Sequence, residues 1–447
     1  MKHKLANSSM TKSVRYSTVK GRIVAPASKS VAQRAIIAAL LANGTSKLRN
    51  MSLCSDTQAA LGVAQALGAQ VEQRGSDYFI ASDFFANSAR MLSLFCGESG
   101  LLTRMVTPVA ALLSQPVGIG GYGSLVTRPI GMVEAPLRDL GATVTTTGGL
   151  LPIHVQGKLR GGTTSLDGSV SSQLLTGLLM ALPLAHESST VHVSNLKSKP
   201  YVDLTIELLK TFGVSVTHEN YEVFHIRGQQ RYTPCTCNVE GDWSGASCLL
   251  VAGAIAGHVT VENLNLESVQ ADREMLTALE RAGAQIGIES GCDGQSAVTT
   301  SQSALHAFTF DATDCPDLFP AIVALASCCN GVSGVKGVSR LTHKESNRAL
   351  ALQKEFGTLG IKIELRGDEM LITGGSIGGG SVSSHNDHRI AMALATAALR
   401  ASGEVTIAQA ECVEKSYLEF WRDLDVLRTD SYSLYALTSA ACSKVMR

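Results

Sequence analysis

The sequence has no surplus of charge: 38 Lys and Arg balance 38 Asp and Glu over 447 residues. That balance excludes the bulk field by which nucleic-acid or anionic-membrane binders gather their partners. An anionic ligand would have to be held by local clusters. Aromatic residues are scarce, at 5%, and charged residues few, at 17%. Long apolar runs are also missing. The two longest, 35–42 and 174–185, fall well short of the ~20 residues of a membrane span, and the second contains Pro183. Residues 1–20 are polar and resemble no signal peptide. The 11 cysteines are odd in number and scattered. Neither Cys235-Thr-Cys237 nor Cys328-Cys329 has the paired spacing of a zinc site, and the second pair lies in an apolar run where cysteine packs as a small hydrophobe. A cytoplasmic, reducing location is expected.

Several catalytic signatures are absent as well. There is no G-x-S-x-G elbow and no H-E-x-x-H. Gly118–Gly123 fits G-x-G-x-x-G, but Ser-Leu-Val-Thr-Arg-Pro follows it rather than an apolar helix. The glycine run 374–380 lacks the Lys-Ser/Thr ending of a phosphate-binding P-loop. None of these patterns marks a metal or nucleotide site.

What the chain does contain is a repeat. An apolar-Gly-apolar helix end followed by an alternating strand recurs at Gly68, Gly141, Gly213, Gly283 and Gly360. Glycine is what a helix needs just past its C-terminus, in the left-handed conformation. Upstream of each, a small polar cluster opens an Ala/Leu-rich helix, at Ser28, Glu98, Ser171, Asp242, Pro316 and Asn386. Six units of roughly 72 residues account for nearly the whole chain. Each reads as apolar helix, strand, amphipathic helix, glycine stop, strand, turn, strand. At this length two domains are the expectation, hence three units apiece. A change of composition at 229–235 marks a crossover, with a return near 20–23. The domains become 22–234 and 1–21 plus 235–428, and the tail 429–447 fits no unit.

The polar residues collect at helix starts. First helices carry Lys29, Ser30 and Arg34; Gly100 and Arg104; Ser171, Ser172 and Gln173; Asp317; and Asp387, His388 and Arg389. Second helices carry Arg128 before Pro129, Ser198 and Lys199 before Pro200 and Tyr201, the run Lys344-Glu345 with Arg348, and Lys415. Proline is common at a first helical position, so Pro129 and Pro200 are read as helix openings. Thr342 is read as opening another. Lys344 and Arg348, four apart, would then share a face at the positive end of the helix dipole, the unfavourable end for cations. A bound anion explains that placement; a solvated, self-paired surface explains it too. Likewise Ser171 and Ser172 fit plain caps, and Asp317 an ordinary first-turn carboxylate. The coincidence across all six units favours a cleft between two domains, lined by helix starts and cations, that holds a ligand with several phosphate or carboxylate charges.

With these stretches assembled, the chain resembles the 5-enolpyruvylshikimate-3-phosphate synthases, within the enolpyruvyl transferase family, over about 21–427. The matching residues are Pro26-Ala-Ser-Lys-Ser with Arg34, Gly97-Glu-Ser-Gly100 with Arg104, Arg128-Pro-Ile-Gly131, Gly168-Ser-Val-Ser-Ser-Gln173, Ser198-Lys-Pro-Tyr201, Val239-Glu-Gly-Asp242, Pro316-Asp317, the run 337–348, Asn386-Asp-His-Arg389, and Cys412 with Lys415. The resemblance implies an α/β fold of two similar domains. Each has three βαβαββ units around buried helices, an inside-out α/β barrel. It implies enolpyruvyl transfer from phosphoenolpyruvate to shikimate 3-phosphate, a step of the shikimate pathway towards chorismate, by a monomer without cofactor.

By the same resemblance, Lys29, Ser30, Arg34, Ser171, Ser172, Gln173, Ser198, Tyr201, Asp317, Arg340 and Lys344 hold shikimate 3-phosphate. Phosphoenolpyruvate falls to Lys29, Gly100, Arg128, Gln173, Glu345, Arg348, Arg389 and Lys415. Catalysis falls to Asp317 as base, Glu345 or Lys29 as the donor of the proton to C3, and His388. Glu98-Ser99-Gly100-Leu101 departs from the Asn-Ala-Gly-Thr of many members, and the extra carboxylate of Glu98 is expected to pair with a cation such as Arg104. The sister transferases acting on UDP-N-acetylglucosamine usually carry a cysteine near 115–124; here none lies between Cys96 and Cys235. A catalytically dead scaffold on this fold would have lost Lys29, Asp317 or Glu345, and all three are present.

Overall fold

The computed structural model describes residues 10–86, 91–291 and 294–429; the tail beyond Thr429 lies outside the described residues. Twelve α-helices alternate between two kinds. Those that open the repeat units are α1 (Lys29–Leu41), α3 (Gly100–Ala110), α5 (Gln173–Ala181), α7 (Trp243–Ala256), α9 (Phe319–Ser327) and α11 (His388–Ala398). Between them run α2 (Ser55–Ala66), α4 (Glu134–Asp139), α6 (Lys199–Thr211), α8 (Met275–Arg281), α10 (Arg348–Thr358) and α12 (Phe420–Leu427). The first kind is buried on all sides, as apolar helices without a polar face must be: every residue of α3, α7, α9 and α11 is buried. Gly177 of α5 permits one of these close crossings, since a Cβ there would lie 2.6 Å from the Arg104 carbonyl of α3 and 2.9 Å from Met105 Cα. That carbonyl lies four residues before Pro108, which has no N–H to offer it.

The helix stops behave as the repeat requires. Gly68, Gly141, Gly213, Gly283 and Gly360 all have φ between 78° and 102°. The strands after them form antiparallel hairpins, and five sheets share one four-stranded order. In the second unit, Leu92–Phe95 pairs in parallel with Val117–Gly120, which pairs antiparallel with Leu150–Gln156, which in turn pairs with Thr143–Thr147. The sixth sheet has three strands: Thr11–Val14, Val405–Ala408 and Gly380–Ser383.

Two hydrophobic cores result. One draws on residues between Ala35 and Cys237, the other on Val14, Val19, Ala25 and residues from Trp243 to Leu427. Their first strands are exchanged. Val19–Val24 pairs with Gly257–Leu264 in the second half, and Thr236–Asn238 with Gly44–Arg49 in the first. The two connections then run side by side, bridged at Ala27 and Gly241 and packed by a small cluster of Ala27, Val31, Ala32, Leu204 and Val239.

Three expected helix starts are displaced. Thr342 opens no α-helix; the chain turns through 342–346, and Asn347 caps α10 by accepting from Leu350 N. Lys344 therefore sits in the turn before the helix, and it does not share a helix face with Arg348, the first helical residue. Pro129 is not at a first helical position either. Arg128 ends the 3-10 turn Gly123–Thr127, and α4 begins only at Glu134. Lys415 lies at the end of the 3-10 segment Ala410–Lys415 rather than at a helix start.

Candidate active site

Helix starts of the first half and the turns ahead of α9 and α10 in the second converge on a cavity of about 420 Å³. Lys29, Gly100 and Gln173 are the first residues of α1, α3 and α5, held there by local caps: Ser28 Oγ accepts from Val31 N, Ser99 Oγ from Leu102 N, and Ser171 Oγ from Gln173 N. Ser198 precedes α6 in the left-handed region (φ 58°), a costly conformation for a residue with a Cβ. It is held from the opposite core. Asp314 Oδ1 accepts its N–H at 2.6 Å, and Arg340 Nη2 donates to its Oγ at 3.0 Å. Arg340 Nη1 also donates to the carbonyls of Ser169 and Val170, so the two halves meet across the cavity. Ser30, Arg34, Arg128, Ser172, Tyr201, Asp317, Lys344 and Glu345 line it as well.

The lining is strongly cationic, with seven Lys or Arg against three carboxylates. Arg34, fully buried, bonds only to neutral oxygens among the described residues: Thr205 and Thr176 hydroxyls and the Ser30 and Tyr201 carbonyls. Arg104 does the same with the Gly100 and Pro129 carbonyls and the Gln173 amide oxygen. Burial lowers Arg34 to about 10; burial, with Arg128 beside it, lowers Arg104 to about 9. Both remain cations near neutrality, and such buried charge favours an anionic ligand.

The second half contributes an ion-pair lattice around Arg348, which is 1% exposed. Its Nη1 lies 2.7 Å from Asp317, its Nη2 2.7 Å from Glu345 and its Nε 2.8 Å from Asp387. Asp317 also meets Arg389 at 3.2 Å and Lys344 at 3.5 Å. Glu345 also meets Lys415 at 3.6 Å and Arg128 at 3.9 Å. Burial alone would raise both carboxyls, but these cations hold each well below the usual carboxylate range. Burial lowers Lys344 to about 8, against the pull of Asp317. Lys29, 3.1 Å from Asp56, goes the other way: burial opposes its charge, yet Asp56 and Glu345 raise it. His388 is buried with neither ring nitrogen hydrogen-bonded, and desolvation, with Lys29 and Arg389 nearby, keeps it neutral.

This geometry agrees with three comparisons. The profile of the family described as EPSP synthase (3-phosphoshikimate 1-carboxyvinyltransferase) matches residues 15–424. The chain belongs to the EPSP synthase family. A 3-phosphoshikimate 1-carboxyvinyltransferase of Clostridium kluyveri is 35% identical over 415 residues, covering 92% of this chain and 96% of that protein. One from Clostridium novyi is 34% identical over 421 residues. The EPSP synthase structure from Acinetobacter baumannii superposes with a TM-score of 0.80 at 26% identity, over 94% of this chain and 98% of that one.

Every residue that the EPSP synthase resemblance assigned lies at this cavity or in the lattice beside it. Arg348, Arg389 and Lys415 bond to Asp317, Glu345 or Glu98 rather than lining the cavity wall. The expected partner of Glu98 is replaced. Its carboxylate sits 3.6 Å from Lys415, not on Arg104, and accepts from Ser124 N. Arg104 is already engaged by Gln173 and two carbonyls, whereas Lys415 arrives from the other half and also donates to the Glu98 carbonyl. The motifs did not single out Asp56, Asp272 or Arg104 as binding groups. Arg104 was visible as a cation in a buried helix; Asp56 lies in the first turn of α2 and Asp272 in the turn ahead of α8, and both gain their place only in three dimensions.

Proposed function

We propose that the chain transfers the enolpyruvyl group of phosphoenolpyruvate to the 5-hydroxyl of shikimate 3-phosphate, releasing phosphate by addition and elimination through a tetrahedral intermediate. One observation carries this reading: buried guanidinium groups bound only to neutral oxygens surround a cavity into which two ionised carboxylates project. Arg34, Ser171, Ser172, Ser198, Arg340 and Lys344 hold shikimate 3-phosphate, with Tyr201 beside its ring and Lys29, Ser30 and Gln173 at its edge. Gln173 and Lys29 also face phosphoenolpyruvate, which Gly100, Arg128, Arg348, Arg389 and Lys415 complete.

Asp317 accepts the hydroxyl proton as the oxygen attacks C2. The anions of phosphoenolpyruvate draw Arg128, Arg348 and Lys415 away from Glu345. Its carboxyl then rises from its depressed range, takes a proton from solvent and passes it to C3; the carboxylate so formed takes a proton back from C3 as phosphate leaves, and Lys29 is the alternative donor. His388, neutral and buried beside Lys29 and Glu345, completes the catalytic set. The same cations meet the charge of the departing phosphate.

We take 22–234 and 1–21 plus 235–428 as the two domains, with a short strand exchange at each boundary; the separate cores support this division. We take the enzyme to act as a monomer. Among the described residues no helix is long and apolar enough to cross a membrane, in keeping with a cytoplasmic enzyme. Incubation of the purified chain with both substrates tests the reading. Mass spectrometry should detect the enolpyruvyl ether in step with phosphate; phosphate without the ether, or neither, overturns it.

A further inference from the structure

Asp272 belongs to no motif assigned above. It sits in the 3-10 turn Ala271–Glu274 ahead of α8, in the second half, and is 2% exposed. Its Oδ2 accepts the Tyr201 hydroxyl at 2.5 Å, while its Oδ1 is buried without a partner among the described residues. Tyr201 comes from α6 of the first half, yet its ring packs against both the second core and the small cluster at the connections. Its carbonyl accepts from Arg34. Tyr201 is thus held at its backbone by an arginine of the first half and at its ring hydroxyl by a carboxylate of the second.

A structural anchor could be made with an apolar contact at far lower cost, because a buried carboxylate with an orphaned oxygen is expensive. The titratable groups near Asp272 are Asp317, Arg389 and Tyr201 of the site, with Asp242 and Cys315. We propose that Asp272 is a positioning residue for the transfer, which fixes the Tyr201 ring from across the cleft and so places the acceptor's ring against Asp317. This rests on the reading of the site as one for shikimate 3-phosphate. Burial, with Asp317 beside it, raises the Asp272 carboxyl to about 7. Its grip on the hydroxyl is therefore strongest above neutral pH, when the bond is charge-assisted.

Steady-state kinetics of Tyr201→Phe, Asp272→Ala, their double variant and Asp272→Asn test this. Both single variants with the bond removed should raise KM for shikimate 3-phosphate about tenfold and leave KM for phosphoenolpyruvate within about twofold. The double variant should be no worse than the poorer single one. Asp272→Asn keeps an acceptor for the hydroxyl and should stay within about threefold of wild type at pH 8. Its ratio to wild type should approach one at pH 6, where the wild-type carboxyl is itself neutral. Additive effects in the double variant, equal loss in both KM values, or an Asp272→Asn ratio unchanged with pH would each overturn the proposal. Should Asp272→Ala fail to fold, Tyr201→Phe and the near-isosteric Asn variant carry the test. A wild-type chain that turns over no shikimate 3-phosphate overturns the functional reading itself, a result distinct from unaffected variants of an active enzyme.

Discussion

Asp387 performs two tasks with one carboxylate: Oδ1 caps α11 by accepting from Arg389 N at 3.0 Å, and Oδ2 holds Arg348 Nε at 2.8 Å. Both Asp387 and Arg348 are buried. Breaking a buried pair costs about 3–5 kcal/mol when it leaves a charge uncompensated; Arg348 keeps Asp317 and Glu345, so the lower end of that range applies. Asp387→Ala should therefore lower stability to urea by about that amount and cost activity by at least about a hundredfold, since Arg348 loses its seat. Asp387→Asn keeps a cap and should be destabilised by less. Equal stability of the two variants in urea titrations would separate the cap from the ion pair in the wrong order.

Gly100 marks a contact with no slack. A Cβ there would lie 2.8 Å from both the Arg104 and Arg128 guanidinium groups. Gly100→Ala should push Arg128 aside, raising KM for phosphoenolpyruvate by about tenfold, a loss of about 1.4 kcal/mol, while KM for shikimate 3-phosphate changes little. Steady-state kinetics with each substrate varied in turn would show the split.

Glu98 competes for Lys415. Its carboxylate is 3.6 Å from the ammonium, which is also fixed by the Glu98 carbonyl at 3.2 Å and by Glu345. Glu98→Gln removes a negative charge beside the anion site and leaves the other two contacts. KM for phosphoenolpyruvate should fall about threefold, the size of a partly screened charge contact. A rise would mean that the carboxylate, rather than the carbonyl, positions Lys415.

Lys344 gives a pH signature. Its folded value, about 8, lies below the ordinary 10.5, so the unfolded chain holds the proton over the window between them. The buried ammonium therefore costs stability below about pH 8, and that cost is relieved as pH rises from about 8 to 10.5. Binding of a phosphate dianion has the opposite sign, because it needs the charged form. KM for shikimate 3-phosphate should climb above pH 8, approaching tenfold per pH unit. Lys344→Arg, which stays charged, should flatten that climb. A climb equally steep in the Arg variant would assign it to another group.

Much of the fold was legible because the second helix of each of the first five units stops on a left-handed glycine, and those five glycines punctuate the chain. Helix starts were legible where a local cap defines them, as at Ser28, Ser99 and Asp387. Thr342 misled because it precedes charged residues in a helix-like order, whereas the working cap is Asn347, and Lys344 occupies the turn between. Pro129 misled similarly, since proline fits turns as well as helix openings. The cations of the site could be read from their unfavourable positions. Their partners could not: Glu98 meets Lys415 over 317 residues of sequence, and Tyr201 meets Asp272 across the boundary between two cores. Such pairings depend on how the halves face each other, which no local pattern encodes.

The most direct measurement is the choice of acceptor. Purified protein is mixed with phosphoenolpyruvate and either shikimate 3-phosphate or UDP-N-acetylglucosamine, and phosphate release is followed alongside Asp317→Asn. The expected result is rapid release with shikimate 3-phosphate alone, reduced by orders of magnitude in the Asn variant with binding retained. Release with UDP-N-acetylglucosamine instead, or undiminished release by Asp317→Asn, would contradict the site described here.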